Sequence, residues 1–166
     1  KVLVGKSYIA PWQGGFGTTL SWKGFSLNAQ FSWVADRWMF NNDRFFEESN
    51  GLYTVYNQSR RLLYDRWKKP GDVTDIPRYG ITPQMDSRFL EDASFLRLKN
   101  LTLGYAVPQN WLEKTHFFDS ARIYVQGQNL LTFTKFSGID PESSSNIYAA
   151  QYPMSRQFTL GIELSF

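Results

Sequence analysis

The final eleven residues, Arg156-Gln-Phe-Thr-Leu-Gly-Ile-Glu-Leu-Ser-Phe166, alternate without a break between apolar side chains and small or polar ones. Successive side chains of a strand point to opposite sides. Phe158, Leu160, Ile162, Leu164 and Phe166 therefore share one face of an extended strand, and Gln157, Thr159, Gly161, Glu163 and Ser165 share the other. Two environments produce this pattern. The strand is either half-buried in a soluble sandwich or barrel, or it crosses a membrane with lipid on one face and a wet lumen on the other, for which about 9–11 residues suffice.

The same period recurs upstream. Phe25, Leu27, Ala29, Phe31 and Trp33 alternate with Ser26, Asn28, Gln30 and Ser32, and just before them Phe16, Thr18, Leu20 and Trp22 oppose Gly15, Gly17, Thr19 and Ser21. Only Lys23-Gly24 separates the two runs, and a two-residue link with glycine is the length of a tight hairpin. A third strand is expected over 95–107, with Leu101, Leu103, Tyr105 and Val107 on its apolar face. Strict alternation puts Arg97 and Lys99 on that face too, where a cation near the bilayer midplane costs about 2–4 kcal/mol; both are therefore expected above the bilayer. A fourth strand spans about 120–134, with Ala121, Ile123 and Val125 outward and Arg122, Tyr124, Gln126 and Gln128 inward. Asn129 interrupts its apolar face and marks a rim.

Composition fits dispersed rather than clustered apolar residues. The chain carries 14 Phe, 9 Tyr and 6 Trp, yet its mean hydropathy is −0.40. No run approaches the roughly 18 consecutive apolar residues of a membrane helix. A charge of +3 with scattered Lys and Arg does not favour nucleic acid. With no cysteine there is neither a disulfide framework nor a thiolate metal site. The amino-terminal stretch, Lys1 to Ala10, has neither an initiating Met nor a signal-peptide core, and reads as the middle of a longer protein.

Connections between the strands alternate between compact and long: 23–24, then 39–94, then 108–119, then 135–155. Outer-membrane barrels pair short periplasmic turns with extended external loops. This order places the carboxy terminus in the periplasm. Trp22, Phe25, Tyr105 and Phe166 fall at one rim and Trp12, Trp38 and Tyr152 near the other, as two interfacial girdles would. A lectin-like soluble β-rich module, the alternative reading, would gather its aromatics in the loops of one end. Within 39–94, the spacing from Leu52 to Trp67 suits an amphipathic helix of three to four turns stopped by Pro70-Gly71. Asp72 and Asp75 read as turn formers rather than metal ligands, and Pro108 opens a short helical turn.

Nothing in the chain points to catalysis, a metal or a cofactor. The lone histidine, His116, falls in a compact link opposite the long loops, where no substrate would arrive. Glu47-Glu48 and Glu91-Asp92 read as solvated loop charges, because sequence neighbours rarely face each other across a glycosidic bond. Gly14, Gly15 and Gly17 lie in a strand and relieve crowding on its lumen face rather than forming a phosphate loop.

Several segments resemble the carboxy-terminal part of SusC/RagA-type TonB-linked outer-membrane transporters. They are Pro11-Trp12 with Gly14-Gly15-Phe16, Leu20 to Leu27, Trp67 to Asp72 with Ile76-Pro77-Arg78, Phe89 to Asn100, Gly127 to Leu130, and Gly138 to Glu142. The likeness covers most of the chain and is most specific from Glu91 to Tyr105. It implies an all-β fold: residues 1–166 as an antiparallel, up-and-down transmembrane β-barrel segment, about five strands of a 22-stranded barrel whose plug lies outside this sequence. Five strands cannot close, and an open edge in lipid costs several kcal/mol per unpaired group. The resemblance further implies uptake of oligosaccharides or peptides across the outer membrane of a Gram-negative bacterium, with a SusD-like surface lipoprotein as partner and TonB acting through the plug. Arg122, Tyr124, Gln126, Gln128 and Glu163 become lumen-facing candidates. Trp67, Pro70, Gly71, Asp72, Ile76, Pro77 and Arg78 become candidates for the partner-facing loop. Phe158, Leu160, Ile162, Leu164 and Phe166, besides facing outer-membrane lipid, become the signal read by the barrel-assembly machinery.

Overall fold

The computed structural model describes residues 4–114 and 117–166; His116 lies outside them. Among the described residues eight strands are formed: β1 Trp12–Trp22, β2 Phe25–Ala35, β3 Trp38–Asn41, β4 Leu90–Asp92, β5 Phe95–Ala106, β6 Ser120–Thr134, β7 Ile147–Tyr148 and β8 Gln157–Ser165. The helices are α1 Asn42–Glu47, α2 Arg60–Tyr64 and α3 Gln109–Leu112, with a 3-10 turn at Ser87–Phe89. The chain divides into two compact units, one of residues 12–35, 95–134 and 154–166, the other of residues 1–11, 36–94 and 135–153.

The first unit is a five-stranded antiparallel meander in the order β1-β2-β5-β6-β8. All five strands match the alternating runs of the sequence. The β1–β2 register pairs Trp22 with Phe25, and Lys23 and Gly24 both have positive φ (47° and 86°). Two left-handed residues make the mirror-image turn whose twist suits a hairpin. One face carries Phe16, Leu20, Leu27, Phe31, Leu103, Tyr105, Ile123, Val125, Leu160 and Ile162, aligned row by row across the strands. Of these, Phe16, Leu20, Leu103, Ile123, Val125, Leu160 and Ile162 stay exposed, from 45% at Ile123 to 72% at Leu160, whereas Leu27, Phe31 and Tyr105 are half-buried. From Trp12 to Trp22 the strand runs roughly 34 Å at ~3.4 Å per residue. Tilted by about 40°, it spans roughly 26 Å, close to the ~25 Å apolar band of a membrane barrel.

Two local departures from strict alternation correct the sequence reading. Leu98 pairs with Phe31 and Asn100 with Gln30, so Lys99 is an extra residue, a β-bulge. The bulge reverses the parity of everything before it. Leu96 and Leu98 join the apolar face, and Arg97, opposite Ser32 and Thr132, moves to the polar face and is buried to 2% exposure. Arg97 therefore needs no position above the bilayer to escape lipid. Across from the bulge, Asn129 takes a left-handed φ of 53°, which Asn tolerates better than most residues, and its amide donates to the Ser155 carbonyl at 3.2 Å. Gly14 also differs from expectation. It pairs with Trp33 on the apolar face, where a Cβ would meet the indole at 3.2 Å.

The second unit has its own small sheet, β4-β3-β7, with β3–β4 antiparallel and β3–β7 parallel. Met39, Ala93, Phe136 and Tyr148 form its core. The rings of Phe136 and Tyr148 meet edge-to-face at 5.1 Å, and the Tyr148 hydroxyl accepts from the Ile139 N–H at 3.1 Å. Trp38 belongs to this sheet, with its indole N–H donating to Asp36. Tyr152 lies outside any strand.

The long helix expected over 52–67 shrinks to the five residues of α2. Gly51 has φ +90°, and Tyr53 and Tyr56 sit in turns with their rings on Phe46, at 4.9 and 5.2 Å. Aromatic packing thus consumes the apolar positions that spacing assigned to a helical face. The helix begins only at Ser59, whose hydroxyl accepts from the Arg61 N–H. An unanticipated helix, α1, is capped in the same way by Asn41. The turn after Pro108 forms as expected, as α3.

The two faces make a direct prediction for the full-length protein. Leu160→Arg on the apolar face should destabilise the folded barrel by about 2–4 kcal/mol in urea titrations from liposomes, and Thr159→Arg on the other face by less than about 1 kcal/mol. Equal losses would remove the assignment of faces.

Candidate functional site

The polar face of the meander gathers the lumen-facing candidates in one place. Arg122, Tyr124, Gln126 and Gln128 follow one another on β6, and Glu163 stands opposite Arg122 on β8. The Arg122 guanidinium donates to Glu163 at 3.2 Å and, across β5, to the Ser26 hydroxyl of β2 at 3.3 Å. Gly104 makes that reach possible: a Cβ there would lie 2.8 Å from the Arg122 Nε. Arg122 also stacks over the Tyr124 ring, 5.7 Å from its centroid. Tyr124 lies over Gly161, where an added Cβ would collide with the ring. Gln126 donates to Asn100 at 3.0 Å and Asn28 to Thr19 at 2.8 Å, so polar bridges cross between neighbouring strands along this face.

Alternation could place Ser26, Asn100 and Gly104 on the polar face, but not join them to Arg122. That requires the register. The apolar members of the last strand, Phe158, Leu160, Ile162 and Leu164, extend the opposite face next to Gly127, Val125, Ile123 and Ala121. Phe166 lies beyond the strand, 83% exposed, with its ring stacked on Phe117 at 6.0 Å.

The second unit holds a network that sequence reasoning missed. Arg44 pairs with Glu48 at 3.0 Å, Asp75 at 2.8 Å and Glu91 at 3.1 Å, and Arg61 pairs with the same Glu48 at 2.6 Å and Asp75 at 2.7 Å. Glu48 is 1% exposed and Glu91 11%, so neither is the solvated loop charge expected. Burying a carboxylate without a partner is prohibitive, and two guanidinium groups supply the partner. The i,i+4 spacing of Arg44 and Glu48 was the only local signal. Arg44, Glu48, Arg61 and Asp75, with Ser137 to Ile139, line a cavity of about 620 Å³. Among the described residues no cluster of three or more acidic, His or Cys side chains is placed to hold a metal.

The partner-loop candidates lie in a loop that this network anchors. The Trp67 N–H donates to the Ile76 carbonyl at 2.9 Å and closes the loop, and Ile76 is buried. Gly71, at φ +99°, turns the chain at its tip, where the Asp72 carboxylate accepts from the backbone N–H groups of Lys68 and Lys69. Those bonds hold the Asp72 carboxyl below its ordinary pKa. Pro70, Gly71 and Arg78 are exposed, whereas Ile76 is the loop's internal anchor. Asp75 serves as an ion-pair partner rather than a turn former. Burial alone would raise its pKa, but the charges of Arg61 and Arg44 outweigh it and hold the carboxyl below its usual range.

Three outcomes are expected for the full-length protein. A carboxyl with a depressed folded-state pKa stabilises fully above its unfolded value of about 3.9, and that contribution is lost as pH falls through the folded value. Hydrogen exchange of amides 67–78, corrected for intrinsic rates, should thus accelerate below about pH 4. Asp75→Asn should produce the same acceleration at pH 7, by up to about fivefold; unchanged exchange in the variant would discard the anchor. On the meander, Gly161→Val must expel the Tyr124 ring, and urea titration should register a loss of about 1–3 kcal/mol.

No family model matches the chain. It is 34% identical to the TonB-dependent receptor P3 of Formosa agariphila, over 92% of this chain and 16% of the receptor. It is 40% identical to the TonB-dependent receptor SusC of Bacteroides thetaiotaomicron, over 49% of this chain and 8% of SusC. Among solved structures, it superposes on the RagAB peptide importer in both the open-open and the closed-closed states. The TM-score is 0.89 at 44% identity in each case, covering 98% of this chain and 18% of that one. The chain thus spans less than a fifth of the length of these relatives, which are named as receptors and an importer rather than as enzymes. The two-faced antiparallel meander and these likenesses place the chain in the SusC/RagA-type family of TonB-dependent receptors, as a segment of the outer-membrane β-barrel.

Proposed function

We propose that the full-length protein imports oligosaccharides or peptides across the outer membrane, driven by TonB through its plug and assisted by a SusD-like surface lipoprotein. The observation that carries this reading is the likeness to the RagAB peptide importer over nearly the whole of the chain. In this reading residues 1–166 are the carboxy-terminal part of a 22-stranded barrel. The apolar rows of the meander meet lipid, and the carboxy terminus lies in the periplasm. Arg122, Tyr124, Gln126, Gln128 and Glu163 line the passage. Its task is gating and selective passage rather than making or breaking bonds.

The loop from Trp67 to Arg78 and the 135–155 link belong on the external side, toward the lipoprotein. Phe158, Leu160, Ile162, Leu164 and the terminal Phe166 serve the barrel-assembly machinery as an insertion signal. The soluble carbohydrate-binding alternative needs a core beneath the apolar rows. It is disfavoured by their exposure, since monomeric soluble proteins rarely show so large a contiguous apolar surface.

Affinity purification of the tagged full-length receptor from outer membranes should recover a SusD-like lipoprotein in near-stoichiometric amount. A strain lacking the receptor gene should lose growth on one substrate class, defined oligosaccharides or defined peptides, and growth on both at wild-type rates would reject the reading. Deleting Phe166 should lower the folded, heat-modifiable receptor in the outer membrane, and normal levels would remove its role as a signal.

A further inference from the structure

Below the Lys23-Gly24 turn, the apolar face of the meander is not flat. Two rows of side chains cross it, the row Trp22–Phe25–Tyr105–Ile123 at the turn end and the row Leu20–Leu27–Leu103–Val125 one step further along the strands. Between them lies an apolar groove of about 580 Å³, lined from all four of β1, β2, β5 and β6. Its rim is stiffened by the Phe25 and Tyr105 rings, 4.6 Å apart. In a membrane this groove opens toward the acyl chains at the depth where aromatic side chains mark the interface.

One charge stands at the head of the groove. Lys23 is fixed in the turn by its left-handed backbone, and its ammonium lies 5.0 Å from the centroid of the Trp22 ring, itself part of the groove wall. Among the described residues Lys23 forms no ion pair. The other charged side chain nearby in register, Arg122, is on the opposite face and is paired with Glu163. The groove thus joins an apolar trough, an aromatic shelf and an unneutralised cation at its interfacial end.

We infer that this groove is a binding site for one anionic phospholipid, with an acyl chain in the trough and the headgroup phosphate against the Lys23 ammonium. The charge at the head of the groove selects this occupant over a zwitterionic lipid or a second apolar protein surface. A lysine close to a membrane surface is worth about 1 kcal/mol toward an anionic lipid, or roughly fivefold in occupancy. The site rests on the reading of the apolar face as lipid-facing, and goes beyond it by naming a lipid class and a position.

The test uses the full-length receptor in detergent, delipidated and then titrated with phosphatidylglycerol or phosphatidylethanolamine, with bound lipid counted by native mass spectrometry. The wild type should retain one phosphatidylglycerol roughly fivefold better than phosphatidylethanolamine. Lys23→Asn, which keeps a residue suited to the left-handed turn, should abolish that preference. Leu103→Trp should fill the trough and remove the retained lipid of either kind, and Val125→Phe provides a second, milder filling. Heat-modifiability of every variant reports separately on the barrel. An intact barrel whose preference survives Lys23→Asn, or whose lipid survives both fillings, overturns the site, whereas a wild type that is not heat-modifiable overturns the membrane reading beneath it.

Discussion

Backbone hydrogen bonding across a single continuous sheet is the constraint on which the meander depends. In a bilayer no water is available to the N–H and C=O groups of a strand, so each long strand must find its partners in its neighbours. The sequence meets this demand with alternating strands of 9 to 15 residues in an unbroken up-and-down order. The short links hold neighbours antiparallel, and the long excursions form a separate unit with its own sheet and core. Free edges at β1 and β8 are the expected consequence of a piece that spans less than a fifth of its relatives.

Once the backbone is paired, the side chains on each face solve different problems. On the apolar face, large residues stand in rows that run across the strands. On the polar face, bonds between side chains reinforce the register. Arg122 reaches Ser26 on one side and Glu163 on the other only because Gly104 leaves room, and Tyr124 occupies the space that Gly161 leaves open. Glycine on this face thus serves as clearance for large polar neighbours.

The second unit is organised by charge as much as by its small apolar core. Two arginines hold three carboxylates drawn from distant parts of the chain, Glu48, Asp75 and Glu91. Such pairs need not add much net stability, since desolvation offsets their attraction. Because both arginines that hold the buried Glu48 also hold Asp75, they tie the loop carrying Asp75 to its surroundings.

A period of two is local, and five long strands, their faces and the Lys23-Gly24 hairpin were legible in the residues themselves. The position of Phe158 to Leu164 on one face and of Arg122 to Gln128 on the other follows from that period alone. Where one inserted residue changes the count, the local rule fails: the bulge at Lys99 moved Arg97 from the apolar face to the polar one, and only pairing with both neighbouring strands reveals it. The long helix was misread because Tyr53 and Tyr56 satisfy a helical spacing but pack on Phe46 from a turn. Glu48 and Glu91 looked solvated because the fold brings Arg61 to Glu48 and Arg44 to Glu91. What the sequence determined by itself is what repeats along the chain, since side-chain alternation is set by strand geometry. Tertiary structure decided what depends on residues far apart in the chain: the parity of β5, the reach of Arg122 across Gly104, and the arginine network, because register and burial arise only when separate segments meet.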